Sequence, residues 1–188
     1  NDSLASQVRE RTAALMETEI TYRSLFDNML NGVAHCRMLF ENGQPQDFIY
    51  LSVNKAFETL TGLKNVVGRK VSEVIPGIRE TDRNLFETYG RVSMSGQPEH
   101  FETYVEALQM WFSISVYSPQ REHFVAIFDV ITERKQAEQA VERERNRLDA
   151  ILKTASDGIH ILDADGLLVD ASDAFLNMRG YDRTVIGR

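Results

Sequence analysis

Residues 99–131 read EHFETYVEALQMWFSISVYSPQREHFVAIFDVI, and this stretch decides the fold. It holds three runs rich in aromatic and β-branched residues, a composition that is typical of strands. We predict strands over 99–106, 109–118 and 122–131, with Ser118-Pro119 as the turn between the last two. The region is therefore part of a sheet.

The residues before this stretch alternate between strand and helix signals. Asn42-Gly43 between two apolar runs predicts a hairpin, because tight turns need a positive φ. Gly62 and Pro76-Gly77 end two short helical segments. The expected elements are strands over 33–40 and 48–51 and helices over 53–60, 65–75 and 82–94.

The first 29 residues carry apolar side chains at steps of three and four. This spacing predicts one long amphipathic helix. An ordinary helix packed on its own domain and one half of a dimeric coiled coil both fit, because polar Arg11 and Thr18 in the stripe weaken self-association. The stripe consists of Leu4, Val8, Leu15, Tyr22, Leu25 and Met29.

A second helix is predicted after residue 131. Between Glu133 and Asp149, ten of seventeen residues are charged, five of each sign, which is typical of a solvated helix. Thr132 is a suitable N-cap, and a helix from Ile131 to Ala155 spans roughly 37 Å. Its apolar stripe consists of Ala137, Val141, Leu148, Ile151 and Ala155.

An internal repeat relates the two ends of the chain. Residues 25–33 resemble 151–159 at an offset of 126, and residues 56–62 resemble 174–180 at an offset of 118. A shorter match joins Gly68-Arg69 to Gly187-Arg188. The second copy lacks everything that corresponds to the helix over 82–94 and to the last three strands, so we expect a longer parent protein or burial against another surface, and we favour the first.

Composition narrows the function. With 21 Lys and Arg against 28 Asp and Glu, the net charge is −7, which argues against a basic nucleic-acid binder. Cys36 is the single cysteine, which excludes an internal disulfide and fits a reducing compartment. No apolar run approaches the ~20 residues of a membrane helix. We expect a cytoplasmic chain without membrane contact, and an anchor upstream in a parent protein is compatible with that.

The organisation resembles the PAS domain, a sensory module of bacterial signalling proteins. The resemblance rests on SVNKAFETLTGLKNVVGRKVSEVIPGI (52–78), GQPEHFETYVEALQMWFSISVYSP (96–119), FVAIFDVITERKQAEQAV (124–141) and, in the second copy, DGIHILDADGLLVDASDAFLNMRGY (157–181). It implies an α+β fold: a five-stranded antiparallel sheet, short helices and a small-molecule cavity on one face, and long amphipathic flanking helices. The implied domains are an N-terminal signalling helix (1–24), a first PAS domain (22–132), a charged linker helix (133–150) and the truncated start of a second PAS domain (148–188).

The resemblance also implies which residues line the cavity. Alternation along 110–117 separates two faces of the strand. The face with the hydroxyl groups is expected to point inward, as an aromatic box that suits a small ligand; a plain core is the alternative. The expected ligand-binding residues are Phe57, Phe101, Thr103, Trp111, Ser113, Ser115, Tyr117, Ala126 and Phe128, and Val105 and Phe124 lie beside them.

The other face of that strand, with Met110, Phe112, Ile114 and Val116, is fully apolar and needs a cover of its own. We expect the N-terminal helix to lie on it through Leu15, Tyr22 and Leu25, either alone or together with a second protomer.

Two residues are expected to relay a signal. PAS domains usually carry Asp-Ile-Thr before the exit helix, whereas here Val130 precedes Ile131-Thr132 and the nearest acid is Asp129. A shift of one residue turns a side chain to the other face of the sheet. Asp129 and Thr132 are therefore named as relay residues, with Thr132 at the start of the exit helix.

Little in the sequence supports a bound cofactor or a catalytic role. His35, His100, His123 and His160 are scattered without metal-ligand spacing, and the segment in which haem-binding relatives carry their ligand has no histidine between residues 78 and 95. The flavin-type Cys motif is also missing near Gly68-Arg69. Haem and a covalent flavin photocycle are disfavoured, no metal site is expected, and a small organic ligand remains open.

No catalytic residue is assigned, because the chain contains no phosphate loop, no zinc-protease motif and no nucleophile elbow. The expected function is a sensory module that binds a small ligand and relays its state through the exit helix. The output domain, a histidine kinase or a diguanylate cyclase, would lie outside this chain. A homodimer through the N-terminal and linker helices is expected. The alternative is a ligand-free PAS module that pairs subunits or proteins.

Overall fold

A computed structural model describes residues 2–154 and 156–187. The chain divides into two compact units, of which the first ends at Thr132 and the second begins at Glu133. Three predicted stripe or repeat positions, namely Ala155, Arg188 and the side chain of Leu4, lie outside the described residues.

The first unit is built around a five-stranded sheet with the order β2-β1-β5-β4-β3, in which neighbouring strands are antiparallel. The strands are β1 (Gly32–Glu41), β2 (Gln44–Val53), β3 (Glu99–Val105), β4 (Met110–Tyr117) and β5 (His123–Val130). The helices are α1 (Asp2–Asn28), α2 (Lys55–Thr61), α3 (Val71–Val74), α4 (Ile78–Thr81) and α5 (Arg83–Ser95). Helices α2 to α5 and one face of the sheet share a single hydrophobic core. The predicted α+β fold is confirmed.

The predicted helix over 65–75 is wrong for its first half. Asn65 has a φ of 55°, and the segment after it forms a turn that is hydrogen-bonded to strand β2. Gly68 donates to the Tyr50 carbonyl at 2.7 Å, and the Tyr50 N–H donates to the Arg69 carbonyl at 3.1 Å. Because these backbone groups are satisfied by the sheet, only Val71–Val74 form a helix.

The predicted position of the N-terminal helix is also wrong. Helix α1 forms, but Leu15, Tyr22 and Leu25 are 71%, 62% and 67% exposed. The apolar face of β4 that they were expected to cover faces inward, where Phe112, Ile114 and Val116 are buried within the core. That face is already covered by the short helices, so the stripe of α1 stays exposed.

Helix α6 (Thr132–Thr154) leaves the sheet directly after β5, as predicted, and runs unbroken through the charged segment. The second unit continues with β6 (His160–Leu162), β7 (Leu168–Ala171) and α7 (Asp173–Arg179). Strands β6 and β7 form an antiparallel hairpin. None of the described helices is long and apolar enough to cross a membrane.

The repeat is visible in one buried joint that occurs in both units. In the first unit, the side-chain oxygen of Asn54 caps α2 by accepting the Phe57 N–H and also accepts the Val33 N–H, both at 2.9 Å. Its amide donates to two carbonyls, those of Phe26 and Asn31. The side chain therefore fixes the end of α1, the start of β1 and the start of α2 together.

Ser172 occupies the matching position in the second unit. Its hydroxyl accepts the Phe175 and Ile159 N–H groups and donates to the Asp157 carbonyl. Ser172 is fully buried, as Asn54 is. The two copies thus use the same N-cap position to join a strand to a helix.

We predict that Asn54→Ala lowers the free energy of unfolding of the first unit by roughly 2–4 kcal/mol, because it removes an N-cap and leaves buried backbone groups without partners. Urea denaturation measures the change. Asn54→Ser should lose less, since a serine keeps the cap that Ser172 demonstrates. Asn84→Ala, at an exposed position of α5, is the control and should change the free energy of unfolding little. Equal losses for Asn54→Ala and Asn84→Ala would contradict the role of this joint.

Candidate ligand cavity and signalling joint

A cavity of about 70 Å³ lies between the inner face of the sheet and helices α2 to α5. Its described lining contains no charged side chain and no histidine. A single water needs a cavity of about 10–15 Å³, while the pockets of drug-sized ligands measure roughly 300–1,000 Å³. In this conformation the cavity can therefore hold only a molecule of a few non-hydrogen atoms.

The structure brings part of the predicted ligand set to this cavity. Phe57, Ala126 and Phe128 line it, and so do Val105 and Phe124. Phe101 and Thr103 share the inner face of the sheet but lie outside the lining. Whether any of these residues binds a ligand stays a prediction.

The predicted orientation of β4 is wrong. Ile114 lies directly opposite Phe128, and residues that oppose each other in an antiparallel pair have side chains on the same face. Phe112 and Ile114 therefore line the cavity. The four residues expected there lie on the outer face instead: Trp111, Ser113, Ser115 and Tyr117.

These outer-face residues have other neighbours. The Ser115 hydroxyl lies 2.9 Å from Nδ1 of His100 on β3. The Trp111 ring lies 5.6 Å from the ring of Tyr104, and Tyr117 is 43% exposed. The error has a simple cause: alternation shows which residues share a face of a strand but not which face is inward, and both faces of β4 carry aromatic groups.

Sequence reasoning missed the polar atoms of the cavity. Tyr50 from β2, Tyr89 from α5 and Cys36 from β1 all line it and are at least 95% buried. Together with Thr61 on α2, they supply the polar side-chain atoms of the lining. Aromatic residues far apart in sequence give no signal of such a cluster before the chain folds.

These three groups are neutral at ordinary pH. Burial raises the pKa of the Cys36 thiol well above its usual value. Burial first, and Cys36 second, raise the pKa of both Tyr50 and Tyr89. The polar groups of the lining are consequently all neutral: the hydroxyls of Tyr50, Tyr89 and Thr61 and the Cys36 thiol.

The wall is rigidly packed. The Tyr89 ring stacks on Phe124 with centroids 4.4 Å apart, and Phe48 makes edge contacts with both rings at 5.8 and 5.3 Å. On the other side, Phe128 makes edge contacts with Phe57 and Phe112 at 5.8 and 5.4 Å. Aromatic groups in such geometries restrict one another, so space in the cavity depends on several rings at once.

The start of the exit helix is hydrogen-bonded to Trp111 on β4. The Trp111 carbonyl accepts the Ile131 N–H at 2.8 Å, and the Trp111 N–H donates to Oγ1 of Thr132 at 2.9 Å. The first turn of α6 is therefore bonded to the residue directly before Phe112, which lines the cavity. The predicted relay residue Thr132 lies at this joint.

The other predicted relay residue, Asp129, joins β5 to the segment that follows α1. Asp129 lies on the outer face of β5 and accepts a hydrogen bond from Nδ2 of Asn31 at 2.6 Å. Asn31 follows α1, and its carbonyl accepts from Asn54. Asp129 also directly follows Phe128, which lines the cavity.

Comparison with known proteins now decides the family. The family model described as "PAS domain" matches residues 21–93 and 146–188, together more than half of the chain. The chain belongs to the PAS domain family. PAS domains are generally non-catalytic sensory modules, and this chain is the PAS region of a signalling protein. The predicted domain boundaries stay predictions, and no curated protein matches the chain.

Solved structures with PAS-like folds resemble the chain at low identity. A domain of an HTR-like protein from Haloarcula marismortui is 20% identical with a TM-score of 0.41, and the match covers 55% of this chain and 100% of that one. The PAS domain of a Colwellia psychrerythraea protein is 17% identical with a TM-score of 0.42, covering 62% and 98%. A sensory box sensor histidine kinase from Vibrio cholerae is 15% identical with a TM-score of 0.39, covering 64% and 97%. Function does not follow from likenesses of this strength.

The cavity of this PAS domain does not suit two large cofactors. A flavin ring is drug-sized and exceeds the space of about 70 Å³. The described lining offers no imidazole to ligate a haem iron. Cys36 lies in β1, and its raised pKa keeps the thiol protonated.

Two histidines of the PAS domain come together on the outer face of the sheet, although their sequence spacing gave no such indication. Nε2 of His35 on β1 lies 3.3 Å from Nδ1 of His123 on β5, 88 residues later. Burial, and secondarily His123, lower the pKa of His35. The pair is separate from the cavity, whose described lining contains neither residue.

We predict that Tyr50→Phe and Tyr89→Phe each lower the free energy of unfolding by less than about 1 kcal/mol, because each removes one hydroxyl and keeps the ring contacts with Phe48 and Phe124. Guanidinium denaturation measures the effect. Tyr104→Phe is the matched control, since its hydroxyl donates to Gln109 at 2.9 Å and its loss should cost up to about 1 kcal/mol. A loss well above about 1 kcal/mol for either cavity tyrosine would contradict this prediction.

Proposed function

We propose that this PAS region senses a small neutral molecule in the cavity and transmits its presence through α6 to an output domain outside this chain. The observation that carries the proposal is the adjacency of Phe112 in the cavity wall and Trp111 at the exit-helix joint. A histidine kinase or a diguanylate cyclase is the output that we propose, and the module itself has no assigned catalytic residue.

The chemistry of the cavity favours one class of ligand. Tyr50 and Tyr89 line the cavity and carry hydroxyl donors, which an acceptor oxygen on the ligand would match. A charged ligand is disfavoured, because the wall holds no opposite charge to offset desolvation. A compact carbonyl compound of a few non-hydrogen atoms fits both the size and the polarity. The proposed binding residues are Phe57, Ala126 and Phe128 from the predicted set, with Tyr50, Tyr89 and Phe112 added.

Two bonded paths support a relay from the cavity. The first runs from Phe112 through the Trp111 backbone to Thr132 at the start of α6. The second runs from Phe128 through Asp129 to Asn31 beside α1. A ligand that shifts either aromatic ring would change the position of a flanking helix, provided that its affinity differs between the two arrangements.

A homodimer through the flanking helices belongs to the same proposal. Leu15 and Leu25 on α1 and Val141 on α6 are large apolar side chains that are 71%, 67% and 71% exposed. Residues 1–24 and 133–150 would then be the signalling and linker helices around a first PAS domain at 22–132, followed by the start of a second at 148–188. A cytoplasmic location is proposed with it, on the ground of the free thiol of Cys36.

The second candidate function is a ligand-free module that pairs subunits or proteins. One observation favours it: the cavity of about 70 Å³ is well below the size of usual ligand pockets. In that case the cavity is a packing defect of the core, and the exposed helices carry the function.

A cavity-filling variant separates the two candidates. Ala126→Val adds two methyl groups to the wall on the central strand β5 and should abolish ligand binding while keeping or raising the melting temperature. Native mass spectrometry of the purified chain would detect a bound small molecule. Thermal shifts with acetamide, acetone and cyclopentanone as probes test the proposed class, since a ligand at 100 times its Kd adds about 2.7 kcal/mol of stability.

Val125→Ile on the outer face of the same strand is the control and should bind like the unmodified chain. If no preparation carries a bound molecule and no probe shifts the melting temperature of the unmodified chain, the ligand-free function replaces the proposed one. Equal binding by Ala126→Val would place the ligand outside this cavity.

We predict that Thr132→Val loosens the exit joint, because the Trp111 N–H loses its acceptor while the side chain keeps its shape. The loss should be about 1 kcal/mol, with faster hydrogen exchange at Trp111 and in the first turn of α6. Thr132→Ser keeps the oxygen and should retain protection. Unchanged exchange at the Trp111 amide in Thr132→Val would remove Thr132 from the relay.

A further inference from the structure

The outer face of the sheet holds a pair of imidazoles that the sensing function does not use. His35 lies on β1 and His123 begins β5, and these two strands are direct neighbours at the centre of the sheet. Nε2 of His35 and Nδ1 of His123 lie 3.3 Å apart, with the ring centroids 5.5 Å apart. Both side chains are partly buried and partly open to solvent.

The separation is longer than an ordinary hydrogen bond but suits a shared metal ion. Hydrogen bonds to nitrogen donors usually measure about 2.7–3.2 Å between heavy atoms. Two nitrogen ligands that each lie about 2.0–2.1 Å from a tetrahedral ion are roughly 3.3–3.4 Å apart. The two nitrogens therefore already have the spacing of two corners of such a site.

The sheet holds these corners in place. His35 pairs with Val125 across the β1–β5 ladder, and Arg37 pairs with His123. Backbone pairing on both strands fixes the two Cα positions, so binding an ion requires side-chain rotation only. Little ordering is left to oppose binding, which is the condition for a preformed site.

The surroundings define what kind of site this is. The described residues contain no group of three or more His, Cys, Asp or Glu that could hold a metal ion, so the protein supplies two ligands and water would complete the sphere. Arg37 on β1 pairs with His123 across the ladder. Its positive charge disfavours the binding of a cation beside it. Two imidazoles select ions that favour nitrogen, namely zinc, nickel and copper, over calcium and magnesium, which prefer oxygen.

We propose that His35 and His123 form a two-histidine binding site for a divalent transition-metal ion of the zinc, nickel and copper group. A bound ion would join β1 to β5 on the face opposite the cavity. Since β5 continues through Ile131 into α6, the site lies on the strand that leads to the exit helix. The proposal does not depend on the sensing function, because neither residue lines the cavity.

Calorimetric titration of the full chain with Zn²⁺ at neutral pH tests the site, with bound Cu²⁺ examined by electron paramagnetic resonance for coupling to two nitrogens. The expected result is one ion per chain and a raised melting temperature. His35→Gln and His123→Gln should each weaken Zn²⁺ binding at least about tenfold. Both variants are first compared with the unmodified chain by circular dichroism and melting in EDTA, so that misfolding is recognised.

His100→Gln and His160→Gln are the matched controls. His100 lies on β3 beside Ser115 and His160 stacks on Phe175, so neither belongs to the pair. Both controls should bind Zn²⁺ like the unmodified chain. Equal binding by all four variants would mean that Zn²⁺ attaches only to scattered surface groups. A stoichiometry of one ion per two chains would mean that the site is formed between copies. Either result overturns the proposal.

Discussion

The register of β5 between β1 and β4 is the constraint on which the rest of this structure depends. Phe128 lies opposite Ile114 on one side, and Ala126 lies opposite Ala34 on the other. Because side chains alternate along a strand, a slip of one residue would exchange the two faces of the sheet. The same register places the cavity wall on the inner face and the His35–His123 pair on the outer face, and it brings Ile131 to Trp111.

Three buried polar side chains then hold the helices against this sheet. Asp47 on β2 accepts the Ser72 hydroxyl from α3, and Asn54 joins α1, β1 and α2. Asp82 precedes α5 and accepts the Glu106 N–H at the end of β3. Each makes hydrogen bonds to groups that would otherwise be buried without a partner. Burying such a group unpaired costs free energy, so these bonds fix the positions of the helices more closely than apolar packing alone.

Cavity and exit helix are close because the fold uses adjacent residues for both. Phe112 and Phe128 face inward, while Trp111 and Asp129, their neighbours in the chain, hold the first turn of α6 and the segment after α1. Phe112 and Phe128 are thus each one residue away from a group that is hydrogen-bonded to a flanking segment.

The sequence by itself determined the elements whose signals are local. Alternation and turn residues predicted the five strands, Asn42-Gly43 predicted the first hairpin, and the charged composition after Thr132 predicted an unbroken helix. The repeat and the quoted stretches also led to the PAS family, and Phe57, Ala126 and Phe128 were assigned to the cavity side.

Tertiary structure alone decided which face of β4 is inward, that residues 66–70 bond to β2, and that the stripe of α1 stays exposed. It also brought together Tyr50 with Tyr89 and His35 with His123. The physical reason is common to all of these: period and composition constrain a residue relative to its chain neighbours, whereas its partner across the sheet is chosen only when the strands pair.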